Sequence, residues 1–424
     1  MGKTVTGGFA LVLLAGGLSV ATAQPQGRGQ RSTPQEVQRG ITVETRPRPD
    51  YDPLGVRLGG FRLDGFVEAG MGYDSNIFAT KDNVKSDGYA QESGTVQLSS
   101  DWTRHAVGAS AIIDSRQYLS RSDLNWTDWS VGFFGRYDID PRSNVDFRYR
   151  HYKEHLDVYN FDVQSAGISK PVPFDSDEVQ VSGSTRFNRL GLTAIGLYRT
   201  FRYEDTDIGG VRQLTSDRNF DTVIGNLGAS YAFTPGRYVT ATVRLQDIAY
   251  EKSISRGRDS FTWVALLGFE YDFDGVWAGR IGVGYQQRQY NSPLIKTLEA
   301  PAFEGRLSWS PTQLTTVTLA AVRTLEESIR TDETSYIRTS AGIRVDHEYL
   351  RNVLIGGEIR ADRREYGSDD ASATDGVVQL NSRWLLNRSL SLVGTYAYTT
   401  RLAATGQVDT YDRHLVQLRL RVAL

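Results

Sequence analysis

The sequence FTWVALLGFEYDFDGVWAGRIGVGY, residues 261–285, decides the fold class. Apolar side chains fill every second position of its first half, and the same alternation resumes after Asp274-Gly275. Period-two alternation on both sides of a short glycine turn predicts an antiparallel β-hairpin. The apolar face carries Phe261, Trp263, Ala265, Leu267, Phe269, Tyr271, Phe273, Trp277, Gly279, Ile281, Val283 and Tyr285. Val264 and Leu266 are exceptions on the opposite face, which is otherwise polar or small.

Each arm of this hairpin is long enough to cross a membrane. A tilted transmembrane strand needs about ten residues, whereas strands of soluble proteins average about five or six. Aromatic residues cluster at the ends of the arms and beside the turn, where a membrane interface would hold them. The stretch therefore predicts two strands that face lipid on one side.

The same pattern repeats from Phe61 to Leu424 in about eighteen runs, an even number, as in bacterial single-chain barrels. Short turns alternate with longer polar connections, as expected when one barrel rim faces the periplasm and the other faces outward. We therefore expect an all-β fold, a transmembrane antiparallel β-barrel of about eighteen strands with short periplasmic turns and longer extracellular loops. Its location would be the outer membrane of a Gram-negative cell, as an integral protein.

A large soluble all-β protein is the alternative, because alternation alone does not tell whether the apolar face meets lipid or a dry core. The length of the runs favours the barrel, since strands of soluble proteins are shorter. So does the number of strands, because sheets of this size seldom stay open.

The composition excludes several classes of protein. The net charge of −2 argues against a partner nucleic acid, which would require a basic surface. The absence of cysteine excludes disulfides and thiolate chemistry. After the N-terminal segment, no run approaches the roughly 18 apolar residues of a transmembrane helix.

The N-terminus has the pattern of a secretory signal peptide. Lys3 gives the positive charge, residues 9–20 the apolar segment, and Ala23 and Gln24 the expected cleavage point. Residues 24–60 form a periplasmic segment rich in arginine and proline, with too few apolar residues to build a core. The predicted organisation is thus a signal peptide (1–23), this segment (24–60) and the barrel (61–424).

The polar face of the strands would line an aqueous bore. It carries charges of both signs with arginine in excess, and neighbouring strands could pair them. One interpretation is a polar conduit that favours anionic solutes. The other is a solvated wall with structural pairing only, since the interiors of such barrels are polar in general. The candidate pore-lining residues are Arg62, Asp64, Glu68, Arg116, Arg148, Arg150, Arg244, Arg280, Glu304, Arg306, Arg338, Arg344, Glu358, Arg360, Arg383, Arg419 and Arg421.

Aromatic residues also occur on this face, where they could stack on sugars or buttress the rims; both readings stay open. They are Phe66, Tyr118, Tyr152, Phe201, Tyr336, Tyr366 and Tyr411. His151 and His155 share a face but have no third ligand nearby, so a metal site is not expected. The five histidines give no Ser-His-acid set. We expect no catalytic site and no cofactor, and hence a protein that is not an enzyme.

Three stretches resemble the putative beta-barrel porin type 2 family. RPRPDYDPLGVRLG at 46–59 is similar to the family's entrance segment, YDSNIF at 73–78 to its first-loop motif, and DWTRH at 101–105 to its first periplasmic turn. The resemblance implies an eighteen-stranded outer-membrane barrel associated with exopolysaccharide synthesis and secretion. It also implies a periplasmic polysaccharide-export protein as partner, one that lacks a membrane-spanning part of its own. Leu424 departs from the terminal aromatic residue that is usual in outer-membrane barrels.

The sequence therefore leads to a channel that takes part in polysaccharide export, with the polymer as transported substrate. A general diffusion porin for small solutes is the alternative, and a structural or adhesive barrel is a third possibility. The expected partners are outer-membrane lipid, the barrel-assembly machinery and the periplasmic export protein.

Overall fold

The computed structural model describes residues 42–208, 211–272, 275–330, 333–367, 371–405, 408 and 410–424. The predicted signal peptide with its cleavage point at Ala23 and Gln24, and residues 24–41 of the predicted periplasmic segment, lie outside these residues. Among the described residues, no helix is long and apolar enough to cross a membrane.

Long antiparallel strands make up nearly the whole described chain. One sheet contains 19 strands, of which the short β1 (Val56–Leu58) pairs only with β2. A separate two-stranded ribbon consists of β9 (Thr206–Ile208) and β10 (Val211–Gln213). The strands of the barrel are β2 (Phe61–Asp74), β3 (Asp87–Ser100), β4 (Ala106–Tyr118), β5 (Trp126–Asp140), β6 (Ser143–Leu156), β7 (Val172–Phe187), β8 (Leu190–Tyr203), β11 (Phe220–Thr234), β12 (Arg237–Tyr250), β13 (Ser260–Asp272), β14 (Trp277–Tyr290), β15 (Leu298–Thr312), β16 (Thr315–Glu327), β17 (Ser335–Leu350), β18 (Val353–Tyr366), β19 (Ser372–Leu385), β20 (Leu390–Ala404) and β21 (Asp412–Ala423).

The sheet closes on itself. Each barrel strand pairs with the next one along the chain, and the last strand β21 pairs with the first strand β2 from Phe66↔Ala423 to Asp74↔Leu415. The result is a closed antiparallel barrel of 18 strands, which confirms the predicted fold class and strand number. Closure pairs the first strand with the last, so that the sheet has no terminal edge strand, as a barrel in lipid requires.

The hairpin at 261–285 forms as predicted. β13 and β14 pair from Ser260↔Tyr290 to Asp272↔Ala278. Gly275 has φ 71°, a left-handed conformation that glycine adopts without strain. Phe273 and Asp274, which the sequence placed at the end of the first arm and in the turn, lie outside the described residues.

Short turns and longer connections alternate around the barrel, so that all the long connections lie at one end. Three of these long connections contain 3₁₀ turns, at Ser122–Leu124, Thr215–Arg218 and Ser253–Arg258. The connection between β6 and β7 contains the short helix α1 (Phe161–Ser165). This alternation is the predicted one.

The outer surface is apolar with aromatic residues near its edge. Val283 and Ile281 of β14 are 64% and 58% exposed, as expected of side chains that face lipid. Trp277 and Trp309 stack at the short-turn end with ring centroids 5.2 Å apart. The buried apolar clusters lie inside the barrel, mainly near the long-loop end, and the residues described form separate clusters at the wall in place of one central core.

Candidate functional site: the bore

All the charged positions predicted to line the bore lie on the inner face of their strands. Strand alternation fixes this placement, because the outward neighbours are the exposed apolar side chains. On β14, for example, outward Val283 alternates with inward Arg280 and Gln286. The side chains of Val264 and Leu266, the exceptions to the polar pattern, are buried on the inner wall in a cluster with Ala302.

Two inward glutamates are each shared by two arginines. Glu68 is 2% exposed and pairs with Arg419 at 2.8 Å and with Arg421. Glu304 lies 3.4 Å from Arg244 and 3.9 Å from Arg280. These networks cross several strands and tie the wall together.

Most of the other predicted residues also have charged or polar partners. Arg116 donates to Gln91 at 3.0 Å and stacks over the Tyr89 ring. The remaining ion pairs are Arg62–Asp64 at 2.7 Å, Arg150–Glu154 at 3.1 Å, Arg338–Asp362 at 2.7 Å, Arg338–Glu326 at 3.2 Å, Arg344–Asp346 at 2.9 Å, Arg360–Glu358 at 3.5 Å and Arg360–Asp362 at 2.8 Å.

Three predicted arginines form no ion pair within 4.0 Å of any carboxylate in the described part of the chain. They are Arg148 on β6, Arg306 on β15 and Arg383 on β19. An unpaired guanidinium keeps its full charge available to a passing solute. These three positions are therefore the strongest candidates for acting on solutes.

Four inward arginines with buried ion pairs were missed by the sequence reading. Arg199 pairs with Glu178, Arg288 with Glu327, Arg401 with Asp375 at 2.8 Å, and Arg413 with Asp74 at 2.6 Å. Each continues the alternation of its strand beyond the point where the apolar run was judged to end. Strict counting by two would have found them.

The connection between β6 and β7, residues 157–171, crosses the mouth at the long-loop end. Asn160 caps α1 by accepting a hydrogen bond from Asp162 N. Gln164 of α1 pairs with Arg401 of β20, which also donates to Tyr159 O at 3.0 Å. Because β20 lies far around the barrel from β6 and β7, this loop spans the opening.

A second segment reaches the same loop from the opposite wall. Asp162 accepts hydrogen bonds from Ile329 N at 3.2 Å and from the Tyr366 hydroxyl. Arg330 lies over the Phe161 ring at 5.8 Å. Burial raises the pKa of the Asp162 carboxyl, an effect that the Tyr366 hydrogen bond partly offsets. Two inward segments thus meet within the mouth.

A belt of aromatic rings supports the loop. Tyr152, Phe174, Phe201, Phe220 and Tyr250 lie on five consecutive barrel strands, with neighbouring centroids 4.6 to 6.3 Å apart. All five are buried, and apolar side chains of the loop pack on them. Of the seven inward aromatic residues noted in the sequence, six are buried and Phe66 lies under the Arg421 guanidinium at 3.9 Å. This burial favours the buttress interpretation over sugar stacking.

At the short-turn end, residues 42–52 fold against the inside of the barrel. Arg46 and Arg48 pair with Glu348 at 3.0 and 2.7 Å. Val43 is 2% exposed, and its N–H donates to Thr316 at 3.1 Å. This part of the predicted periplasmic segment therefore lies inside the barrel, because its arginines find a buried carboxylate on β17.

The histidines have local roles. His155 bridges Asp128 at 2.9 Å and Asp157 at 3.1 Å, and His151 contacts Asp177 at 3.0 Å. Within the described ranges, no three histidine or acidic side chains are grouped so that they could hold a metal ion.

A sequence model of the family described as “Putative beta-barrel porin 2” matches residues 48–424. The chain belongs to this family. The porin is an integral protein of the outer membrane, and its barrel is a channel. The short turns accordingly face the periplasm and the long loops the cell exterior. No curated protein matches the sequence.

Several solved outer-membrane proteins are similar in structure. OpdK of Pseudomonas aeruginosa is 12% identical, with 85% of this chain and 99% of that chain covered and a TM-score of 0.43. A BenF-like porin of Pseudomonas fluorescens Pf-5 is 10% identical, with 85% and 99% covered and a TM-score of 0.47. The siderophore receptor PirA of Acinetobacter baumannii is 6% identical, with 85% and 80% covered and a TM-score of 0.47.

Proposed function

We propose that this porin lets small polar solutes diffuse across the outer membrane, with a preference for anions, and that it has no catalytic role. The observation that carries the proposal is the set of three bore-facing arginines without an ion pair, Arg148, Arg306 and Arg383, in a wall whose other charges are largely paired. Paired charges cancel at a distance, so beside Arg306 and Arg383 the unpaired guanidinium sets the sign of the local potential. Anions gain from that potential and cations do not.

Reversal potentials in planar bilayers test the preference. With a KCl gradient, the porin should be anion-selective, and Arg306→Gln should move the reversal potential toward the cation side. Arg306→Lys keeps the positive charge and serves as the matched control, which should stay close to the unmodified porin. A cation-selective porin, or equal values for the two variants, would rule out the role of Arg306.

Polysaccharide export, the function implied by the sequence resemblance, has less support. Six of the seven inward aromatic rings that could guide a sugar chain are buried. The loop at 157–171 crosses the extracellular mouth and would have to be displaced by a polymer but not by a small solute. The diffusion porin, which the sequence left as the alternative, is therefore the better interpretation.

Gene deletion separates the two functions. Loss of small-solute uptake with normal polymer secretion supports diffusion. Loss of secretion with unchanged uptake would restore the export hypothesis and its periplasmic partner. A porin that conducts nothing and instead binds a surface ligand would favour the structural or adhesive barrel.

A further inference from the structure

The barrel wall is not hydrogen-bonded over its full height between β15 and β16. Their ladder stops at the pair Phe303↔Arg323, although both strands remain paired with β14 and β17 on their far sides. Residues 298–302 and 324–327 therefore border an unpaired seam in the extracellular half of the wall. Pro301 lies in this stretch and has no N–H to donate, as is common at strand edges.

The upper part of the β16–β17 hairpin leans into the bore. Leu325 and Ile337 have the strand parity of lipid-facing side chains, yet they are 5% and 9% exposed and form an apolar cluster with Ala300 of β15. Glu327, of the same parity as Leu325, pairs with Arg288 of the inner wall. The top of β15 therefore lies on the outer side of the β16–β17 hairpin, and the two overlap at this joint in the wall.

One buried side chain bridges this joint from the inside. Gln286 is 1% exposed, and its Nε2 lies 3.5 Å from Pro301 O and 3.4 Å from Arg323 O, one carbonyl on each side of the seam. Both distances are at the long limit of hydrogen bonding, so each bond is weak. These weak bonds replace the strand ladder just above Phe303↔Arg323, and the Arg288–Glu327 ion pair joins the two sides at the upper end of the seam.

The inner wall beside the seam is apolar in a bore that is otherwise charged. Val264 and Leu266 of β13 cluster with Ala302 of β15. Between them, β14 presents Gly284, which pairs with Leu266 and Ala302, and Gln286, which pairs with Val264 and Ala300. These five residues offer an ion no charged side chain, whereas a hydrocarbon chain finds a largely apolar surface that continues toward the lipid-facing side of the wall.

We propose that the β15–β16 seam is a lateral passage between the bore and the outer leaflet for molecules that carry a hydrocarbon chain. The chain lies on the apolar track and leaves between the two strands, while a polar head remains in the bore. This route is separate from the diffusion of small polar solutes along the bore, and the two can be measured independently.

Joining the two strands tests the passage, and the absence of cysteine makes the experiment clean. Ala302 and Thr324 would be the next cross-strand pair above the end of the ladder. Ala302→Cys with Thr324→Cys, oxidised or joined by a short bismaleimide, therefore holds the seam closed. Ala341→Cys with Ala361→Cys joins true cross-strand partners of β17 and β18 and is the matched control.

The probe is a photoactivatable dodecanoate applied to the porin in lipid nanodiscs, with the labelled residues mapped by mass spectrometry. We expect labelling of Val264 or Leu266 in the unjoined porin and in the control pair, and its loss when the seam is joined. KCl conductance that survives joining shows that the barrel is intact. Labelling confined to lipid-facing residues, or track labelling that persists in the joined porin, would overturn the passage.

A single substitution provides a second test, for use if the double-cysteine porin does not assemble. Gln286→Leu removes both bridging hydrogen bonds and keeps the side-chain size close to that of glutamine. Track labelling by the same dodecanoate probe should increase in this variant. Unchanged or reduced labelling in an assembled Gln286→Leu porin would equally overturn the proposal.

Discussion

Replacing Asp162 by alanine should release the loop that crosses the extracellular mouth. The carboxylate of Asp162 is 5% exposed and joins the loop to two other parts of the barrel, through Ile329 N at 3.2 Å and the Tyr366 hydroxyl. Its removal therefore acts on loop docking more than on the barrel itself.

The size of the effect follows from these contacts. Two hydrogen bonds contribute about 1 kcal/mol each, and the buried Tyr366 hydroxyl would lose its acceptor at a further cost of about 1–3 kcal/mol. The burial that raises the pKa of Asp162 is an opposing cost of the docked state, which alanine removes. A net loss of about 2 kcal/mol changes the ratio of docked to released loop by roughly 30-fold.

Single-channel recording measures this ratio directly. The Asp162→Ala porin should spend longer in a state of higher conductance than the unmodified porin. Asp123→Ala is the matched control, because Asp123 is a partly exposed aspartate paired with Arg121 in another extracellular loop. If Asp162→Ala and Asp123→Ala give the same conductance levels and dwell times, the loop does not limit flow through the mouth.

Three other predictions follow from single sites. Docking of the loop buries Asp162 and raises its pKa, so docking is strongest at a pH below the ordinary aspartate pKa and weakens as the pH rises through the raised pKa. Conductance should therefore increase with pH over this window. Asp162→Asn should flatten the dependence of conductance on pH. Val283→Arg places a charge on the lipid face and should cost about 2–4 kcal/mol in unfolding from lipid vesicles, whereas Val283→Leu should be nearly neutral. Gly284→Ala should lower the temperature at which the barrel unfolds in gel-shift assays, because its Cβ would lie 1.8 Å from a backbone oxygen, whereas Gly282→Ala has ordinary contacts at 3.6 Å and should not.

The barrel was predictable from the sequence because each strand carries its own evidence. Alternation such as that of residues 277–285 indicates which side of a strand faces lipid. The alternation of short turns with long loops indicates the topology. Both signals are local in the chain. Strand number, inner-face positions and membrane location could therefore be obtained without any knowledge of contacts.

The contents of the bore were less predictable, because they depend on contacts between distant residues. Arg401 and Gln164 are 237 positions apart, and Arg48 and Glu348 are 300 positions apart. No local pattern indicates that the loop at 157–171 or the segment at 42–52 turns inward. The same is true of the seam at Pro301, where an isolated proline was the only local signal.

The inner arginines are best understood as two groups with different effects on substitution. Where a pair is buried, as Arg413 is with Asp74, its net contribution to stability is small, but loss of one partner leaves a buried charge and costs about 3–5 kcal/mol. Changes at such positions should appear as reduced assembly, with little information about transport. Arg306 has no such partner among the described residues, so its replacement leaves no orphaned carboxylate and should act on the passing solute alone. Selectivity in this porin therefore depends on the few charges that the fold does not use, which is why counting arginines on the inner face overstates the positive charge that a solute meets.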